Sequence, residues 1–519
     1  MHFQPHRPPG HAGNREHYLA RVAKDLERII LKALGSLTYD TLCLSNSKLE
    51  ELAGVLVEFA EDIHNDIGIW KSLERYNITF FSTPLPFVLQ PDEHQGSKAI
   101  NKYRIQHLLW IIYSELIPER LISPTHRDLI KLATITAAFL EKRFTDIPRG
   151  SSVKTFLSGP NRFGWEVKRK LIWLGTHSYL FRNSFRNYIE DRGGKPEVDI
   201  IDDFVCQQTT VWSGLGITDI LAAVLDISPV QCSALQSWCE RHSAYYRILA
   251  NQGQKSEVFN IINDKPYTVR IAADTNHLEV GAIVLGSLVP WGEEWYWSGS
   301  QHLFRNVSEQ ALQEMKETFL KKVPRIAYRY CHQLAKKARK TVYLYYNDFV
   351  EYHGGDLAIY PDGLSMIADY QKEIRLQWES NSKEEIAEVM ERFKLKDPSP
   401  SLSFPPDLIE DKRGVGVYYN PDEGQEIMTD FNAIISGFKK KRLDLTQDER
   451  EAIRSFICSD MISPKFVRRL IQEYGSASIE ATFLILGRHD EAHIDYLLRR
   501  FKGAYYRNRY PRIALVGYC

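Results

Sequence analysis

The chain has 519 residues and carries 66 Lys+Arg against 66 Asp+Glu, a formal net charge of zero. Hydrophobic residues at 44% and charged residues at 25% exclude a disordered chain, a collagen, a coiled coil or a disulfide mini-protein as its main character. Neutrality also excludes a uniformly basic nucleic-acid coat, while leaving room for local patches of either sign.

Residues 1–16 are polar and rich in Pro and Gly, which predicts a disordered leader with no apolar signal segment. His2, His6, His11 and His17 fall in or beside it, with nothing to fix a metal geometry. Residues 17–250 read as a helical region. Leu19, Val22, Leu26, Ile29 and Ala33 form one stripe, and Leu49, Leu52, Leu56, Phe59, Ile63, Ile67 and Trp70 form another. Ser47 with Glu50 is a capping box, and Ser123-Pro124, Ser228-Pro229 and Ser463-Pro464 read as helix starts. Residues 251–305 change period. Segments 257–262 and 267–272 flank a turn, as do 282–289 and 294–298, predicting a small antiparallel sheet or barrel at about 255–300. Residues 306–396 combine a basic helix over 308–340 with strands at 342–346, 357–360 and 364–370. Prolines and serines make 397–406 a linker. Residues 407–519 read as mainly helical, with one strand at 415–419 and a capping box at Thr446 and Glu449; Ser382 and Glu385 look like another. Strands and helices are segregated, so the fold class is α+β, predominantly helical, with a second mixed α/β piece.

Seven cysteines without a CxxC pair point to a reducing cytoplasm. No apolar run approaches the roughly 18 residues of a membrane span, so no membrane partner is expected.

Four features carry chemistry. Trp291, Trp295, Tyr296 and Trp297 crowd one hairpin; on a strand Trp295 and Trp297 share a face and Tyr296 takes the other. They suit either a planar-ligand or partner platform, or packing of the sheet on the helical body. Basic runs come second. Residues 321–340 hold eight Lys/Arg and no acid, and 149–186 hold eight with the single acid Glu166. In 499–512, Arg499, Arg500, Lys502, Arg507, Arg509 and Arg512 alternate with Tyr505, Tyr506 and Tyr510. Cations neutralise phosphates and tyrosines stack on unpaired bases, which suits RNA or single-stranded DNA; pairing with the chain's own acids is the competing use. Third, His489 and His493 share a helix face at metal-ligand spacing, but Asp490 stands where the zincin pattern has Glu, and no third ligand is identifiable. Fourth, Asp348, Glu351, Asp356, Asp362, Asp369, Lys372 and Glu373 concentrate carboxylates. Pro361-Asp362 with Asp369 and Lys372 resembles the PD-(D/E)xK nuclease pattern, departing from it because Asp369 and Lys372 are three apart where the pattern needs two. Under that resemblance Asp362, Asp369 and Lys372 are catalytic and Mg²⁺ or Mn²⁺ is the cofactor; otherwise none is expected. Gly214-Leu215-Gly216 reads as a helix start rather than a phosphate loop.

The resulting expectation is a soluble intracellular binding protein. It engages nucleic acid or a ribonucleoprotein through the Arg/Tyr-rich and Trp-rich surfaces. The alternatives are a metal-dependent hydrolase or nuclease using the 348–373 carboxylates, and a scaffold that binds a partner protein.

Overall fold

The computed structural model describes residues 7–11, 16–35, 42–89, 98–210, 213–272, 278–379, 387, 390, 404–440, 444–483 and 491–513. The fold is α+β and mostly helical, with a barrel-like sheet and a second, three-stranded sheet. It divides into two compact units: Met1–His332 with Ile485–Arg507 and Val516–Cys519, and Gln333–Leu484 with Asn508–Leu515. The division falls at 332/333 instead of in the expected linker, of which 397–403 lie outside the described residues.

The helical body of the first unit runs α1 (Glu16–Leu34), α2 (Asn46–Asn65), α3 (Ile69–Phe81), α4 (Lys102–Leu116), α5 (Arg127–Phe144), α6 (Ser152–Leu157), α7 (Gly164–His177), α8 (Arg182–Glu190), α9 (Val198–Gln207), α10 (Ile217–Val224) and α11 (Pro229–Gln236). Apolar stripes from these helices merge into one core extending from Leu19 to Trp238. The stripe expected to continue from Leu49 to Trp70 is broken between α2 and α3. Asp62 causes the break: its buried carboxylate accepts from the backbone N–H of Gly68, Ile69 and Trp70 at 2.8, 3.3 and 2.8 Å and from the Tyr179 hydroxyl at 2.7 Å. It thus caps α3 from the end of α2, answering amides that a helix start leaves without partners. Two expected caps are displaced. Ser45, not Ser47, accepts from the first turn of α2, and α5 starts after His126 because Ser123 closes a local turn with Thr125. Residues 7–11 depart from the expected leader, since Pro8 is buried and the His11 ring stands edge-on to Phe156 at 5.5 Å.

The sheet of this unit starts earlier than expected, at β1 (Ser243–Gln252), and continues through β2 (Lys255–Asn260), β3 (Lys265–Arg270), β4 (Ile283–Trp291), β5 (Glu294–Trp297) and β6 (His302–Phe304). Both expected hairpins are present, as β2–β3 and β4–β5. Strand order is β1-β2-β3-β5-β4-β6, and a further β1–β4 pairing closes it on itself, so few edges are left to template association. Ala244, Tyr246, Ile248, Val258, Val269 and Val284 fill its interior. The basic helix expected over 308–340 is split. Pro324, with no N–H to donate, follows α12 (Glu309–Lys322) and opens a short 3₁₀ turn, Pro324–Tyr328. A returning helix, Glu491–Lys502, completes the unit.

The second unit contains α13 (His332–His353), β7 (Leu357–Tyr360), α14 (Gly363–Glu379), α15 (Pro406–Glu410), β8 (Val415–Asn420), β9 (Gly424–Met428), α16 (Phe431–Phe438), α17 (Gln447–Cys458), α18 (Pro464–Tyr474) and α19 (Ala477–Thr482). The three strands form an antiparallel sheet in the order β7-β8-β9. Residues 342–346 and 364–370, expected as strands, are helical. Ala335, Ala338, Val342 and Phe349 are buried at steps of three, four and seven, a helical face that outweighs the β-prone run Val342-Tyr343-Leu344-Tyr345. At 364–370 the Pro-Asp-Gly turn serves as a helix start, because Asp362 Oδ1 accepts from Ser365 N–H at 2.7 Å.

Candidate functional site

The C-terminal arginines are held by the fold. In the first unit Arg499 donates to Asp495 and to the Ser213 carbonyl, both at 2.7 Å, and lies 4.1 Å over the Tyr506 ring. Arg500 donates to the Pro118 carbonyl at 3.0 Å and the Tyr496 hydroxyl at 3.1 Å. Lys502 is buried and Tyr505 half-buried. Arg507 reaches Thr218 Oγ1 and Asp219 Oδ2, both at 3.1 Å, and occupies the space a Cβ on Gly216 would need. The Gly214–Gly216 turn therefore starts α10 with an internal acid and arginine in place of a phosphate. In the second unit Arg509 grips Glu423 through two bonds of 2.9 and 2.8 Å. Arg512 lies 3.4 Å from the same buried carboxylate and donates to the Met461 carbonyl, and Tyr510 sits 5.8 Å below Arg339. Fixed in this way, these guanidinium groups act as internal clamps.

The Trp-rich hairpin divides between two interiors. Trp295 and Trp297 pack at the barrel core, edge-on to Tyr267 at 4.6 Å and Tyr246 at 5.4 Å. Trp291 and Tyr296 face the helical body. The Trp291 indole N–H donates to the Asn161 carbonyl at 3.0 Å, and the Tyr296 ring lies 2.7 Å from where a Cβ on Gly164 would sit, so only glycine admits it. A cavity of about 220 Å³ remains between Trp165, Lys168, Arg270, Tyr296 and Trp297, but its cations are paired, Lys168 with Asp202 at 2.8 Å and Arg270 with Glu294 at 3.1 Å.

The carboxylate stretch separates into three roles. Asp362 caps α14 and Lys372 is exposed on that helix, so neither they nor Asp369 are strand-borne as the nuclease pattern requires. Asp369 and Glu373 are one helical turn apart and face His353, a residue the sequence reading passed over. His353 Nδ1 lies 3.9 Å from Asp369 and Nε2 3.7 Å from Glu373. The Tyr352 and Tyr360 hydroxyls each donate to Asp369 at 2.9 Å. Burial, with Asp369 and Asp348 nearby, pushes Glu373 up to about 7, and burial pulls His353 below its ordinary value. A cavity of about 90 Å³ adjoins them, closed by Phe349, Tyr370 and Phe404. His353 and Glu373 approach without a hydrogen bond between them, beside a space that admits little beyond water. Among the described residues no three His, Cys, Asp or Glu side chains form a group that holds a metal ion. His489 lies outside the described residues, and His493 is on the returning helix with no side chain described.

One charged surface is open. On α13, Lys336, Lys340, Tyr343 and Asn347 line the side opposite the buried Ala335, Ala338, Val342 and Phe349; Tyr343 is 56% exposed. Lys337 and Arg339 flank this stripe, and no acid occurs between Lys336 and Tyr346.

Residues 41–207 match the model of a family described as a protein of unknown function (DUF3843). No curated protein and no solved structure matches the chain. The matched segment is less than half of the chain, running from before α2 to the end of α9, and brings no chemistry with it. Among the described residues no helix is long and apolar enough to cross a membrane.

Proposed function

We propose that the protein is a binding protein that engages single-stranded nucleic acid through the open side of α13. One juxtaposition supports this reading: Lys336, Lys340 and Tyr343 lie exposed on a single helix face without an acid among them. Lysines there neutralise successive phosphates, and the tyrosine that follows them on the same face offers a base its ring. The clamped C-terminal arginines and the packed indoles favour α13 over the surfaces expected from sequence. A reducing, cytoplasmic setting belongs to the same proposal, supported by the free thiols of Cys206 and Cys331 in buried positions. A partner protein is the second reading, favoured by Leu344 and Tyr345, 52% and 45% exposed beside the lysines.

The test is binding of a labelled single-stranded oligonucleotide across a salt series. Two phosphate contacts contribute roughly 1.4 to the log–log salt slope, so Lys336→Ala with Lys340→Ala flattens it by about that amount. Tyr343→Ala weakens binding by roughly 5- to 100-fold at an unchanged slope. Absent or salt-independent binding overturns the reading. A co-purifying protein released by Leu344→Ala would replace it with the second.

A further inference from the structure

A separate cavity of about 220 Å³ lies inside the first unit, between α4, α8, α9 and the returning helix. Glu115, Ser184, Asn187, Tyr188, Asp191 and Arg500 supply part of its polar lining, and Phe181 and Phe204 part of its apolar wall. Glu115 is 5% exposed. Its Oε1 accepts from the Ser184 hydroxyl at 2.6 Å, and the Asn187 side-chain amide donates at 2.8 Å to the Glu115 carbonyl. Its Oε2 is buried with no hydrogen-bond partner. A buried carboxyl oxygen without a partner costs roughly 1–3 kcal/mol, so a cavity beside one marks a place where a ligand replaces something missing.

The chemistry of the walls selects the ligand. The cation on the lining, Arg500, already donates to the Ser114 and Pro118 carbonyls and the Tyr496 hydroxyl. Two carboxyls remain, one buried and one, Asp191, at an exposed position, and Phe181 and Phe204 also line the cavity; aromatic rings attract cations through their faces. The volume lies below the roughly 300–1,000 Å³ of drug-sized pockets, so the occupant is a small metabolite. We infer that this cavity binds a small organic cation with a primary ammonium group, which donates to Glu115 Oε2 while its aliphatic part lies against Phe181 and Phe204.

Glu115 is otherwise held neutral: burial raises it to about 8, Arg500 and Arg182 oppose that rise, and Glu51 adds to it. An arriving ammonium ionises the carboxyl, and its proton leaves to solvent. Affinity therefore rises with pH up to about 8.

The experiment is calorimetry on the full chain with n-butylamine, against n-butanol and butyrate as uncharged and anionic controls, in buffers of different ionisation enthalpy. The expected result is one site for butylamine, proton release near neutral pH, and at least tenfold weaker or no binding of the controls. Glu115→Gln keeps the shape and is expected to lose at least tenfold in affinity together with the proton release. Asp191→Asn, at an exposed position, covers the case in which Glu115→Gln does not fold, and is expected to weaken binding several-fold. Equal binding of butanol, unchanged affinity in the folded Glu115→Gln protein, or no saturable butylamine site would overturn the inference.

Discussion

The segment from Arg499 to Arg512 and residues 332–347 of α13 are both basic, hold three tyrosines each and no acid, and they do opposite things. The arginines are tied to carboxylates and carbonyls, with Glu423 nearly enclosed by Arg509 and Arg512. The exposed lysines Lys336 and Lys340 stand on the side of α13 away from its buried face. Side-chain chemistry accounts for much of the contrast. A guanidinium is planar, weakly hydrated and able to bond several fixed acceptors at once, so it enters an interior; an ammonium is compact and strongly hydrated, so it stays out. Lys502, buried, and Arg339, exposed on α13, run against this tendency, so the acceptors within reach also decide where a cation goes.

The sharpest way to break this contrast is Arg509→Ala. Glu423 is 3% exposed and loses its bidentate partner, keeping only the 3.4 Å approach of Arg512. Removing one side of a buried ion pair costs about 3–5 kcal/mol, and Arg512 brings the expected loss to the lower end, about 3 kcal/mol in urea unfolding of the second unit. Glu423→Gln made together with it is expected to recover part of that loss, because the stranded charge is then gone. A loss below about 1 kcal/mol would show the arginine to be a surface group after all.

Much of this architecture was legible in the residues. Alternation marked both hairpins of the barrel, and stripes of three and four marked α1 and α2. What failed did so for identifiable reasons. Val342-Tyr343-Leu344-Tyr345 has strand propensity, but a strand buries alternate residues, and here the buried positions recur with a helix's period. β1 was hidden inside a helical stretch because Tyr245, Arg247 and Leu249 mix polar and apolar character on its outer side. At the candidate sites, residue types were readable and partners were not. Asp369 was singled out without His353, sixteen positions earlier, and nothing near Glu115 announces a cavity whose walls beyond Ser114 and Pro118 lie 66 to 385 residues further on.

A second buried carboxylate of the same unit tests the contrast through pH. Glu423 has arginines; Glu373 has His353 at 3.7 Å and the like charges of Asp369 and Asp348. Its ordinary value is 4.5 and its folded value about 7, so the folded chain holds a proton that the unfolded chain releases. The stability this provides is complete below 4.5 and is lost as pH rises through 7. The full rise is equivalent to about 3.4 kcal/mol; screening by solvent near the carboxyl brings the expected change across that window to about 2 kcal/mol, and Glu373→Gln is expected to flatten it. His353 works in the other direction, losing stability as pH falls below 6.5, so the difference between wild type and Glu373→Gln isolates the carboxyl. A difference between the two profiles that is already flat from 4.5 to 7 would place Glu373 among the solvated acids.

The smallest effect is expected where the proposed function lies. Lys336→Ala and Lys340→Ala exchange one good helix former for a better one on an exposed face, so each should change stability by less than about 0.5 kcal/mol. A small value matters because it separates folding from binding: a variant that unfolds like wild type and loses oligonucleotide can have lost only a contact with the ligand. If either substitution instead costs more than about 1 kcal/mol in urea unfolding, its lysine is clamping the fold as Arg509 does. The two basic stretches would then share one role, and the salt slope of the double variant would no longer count phosphates.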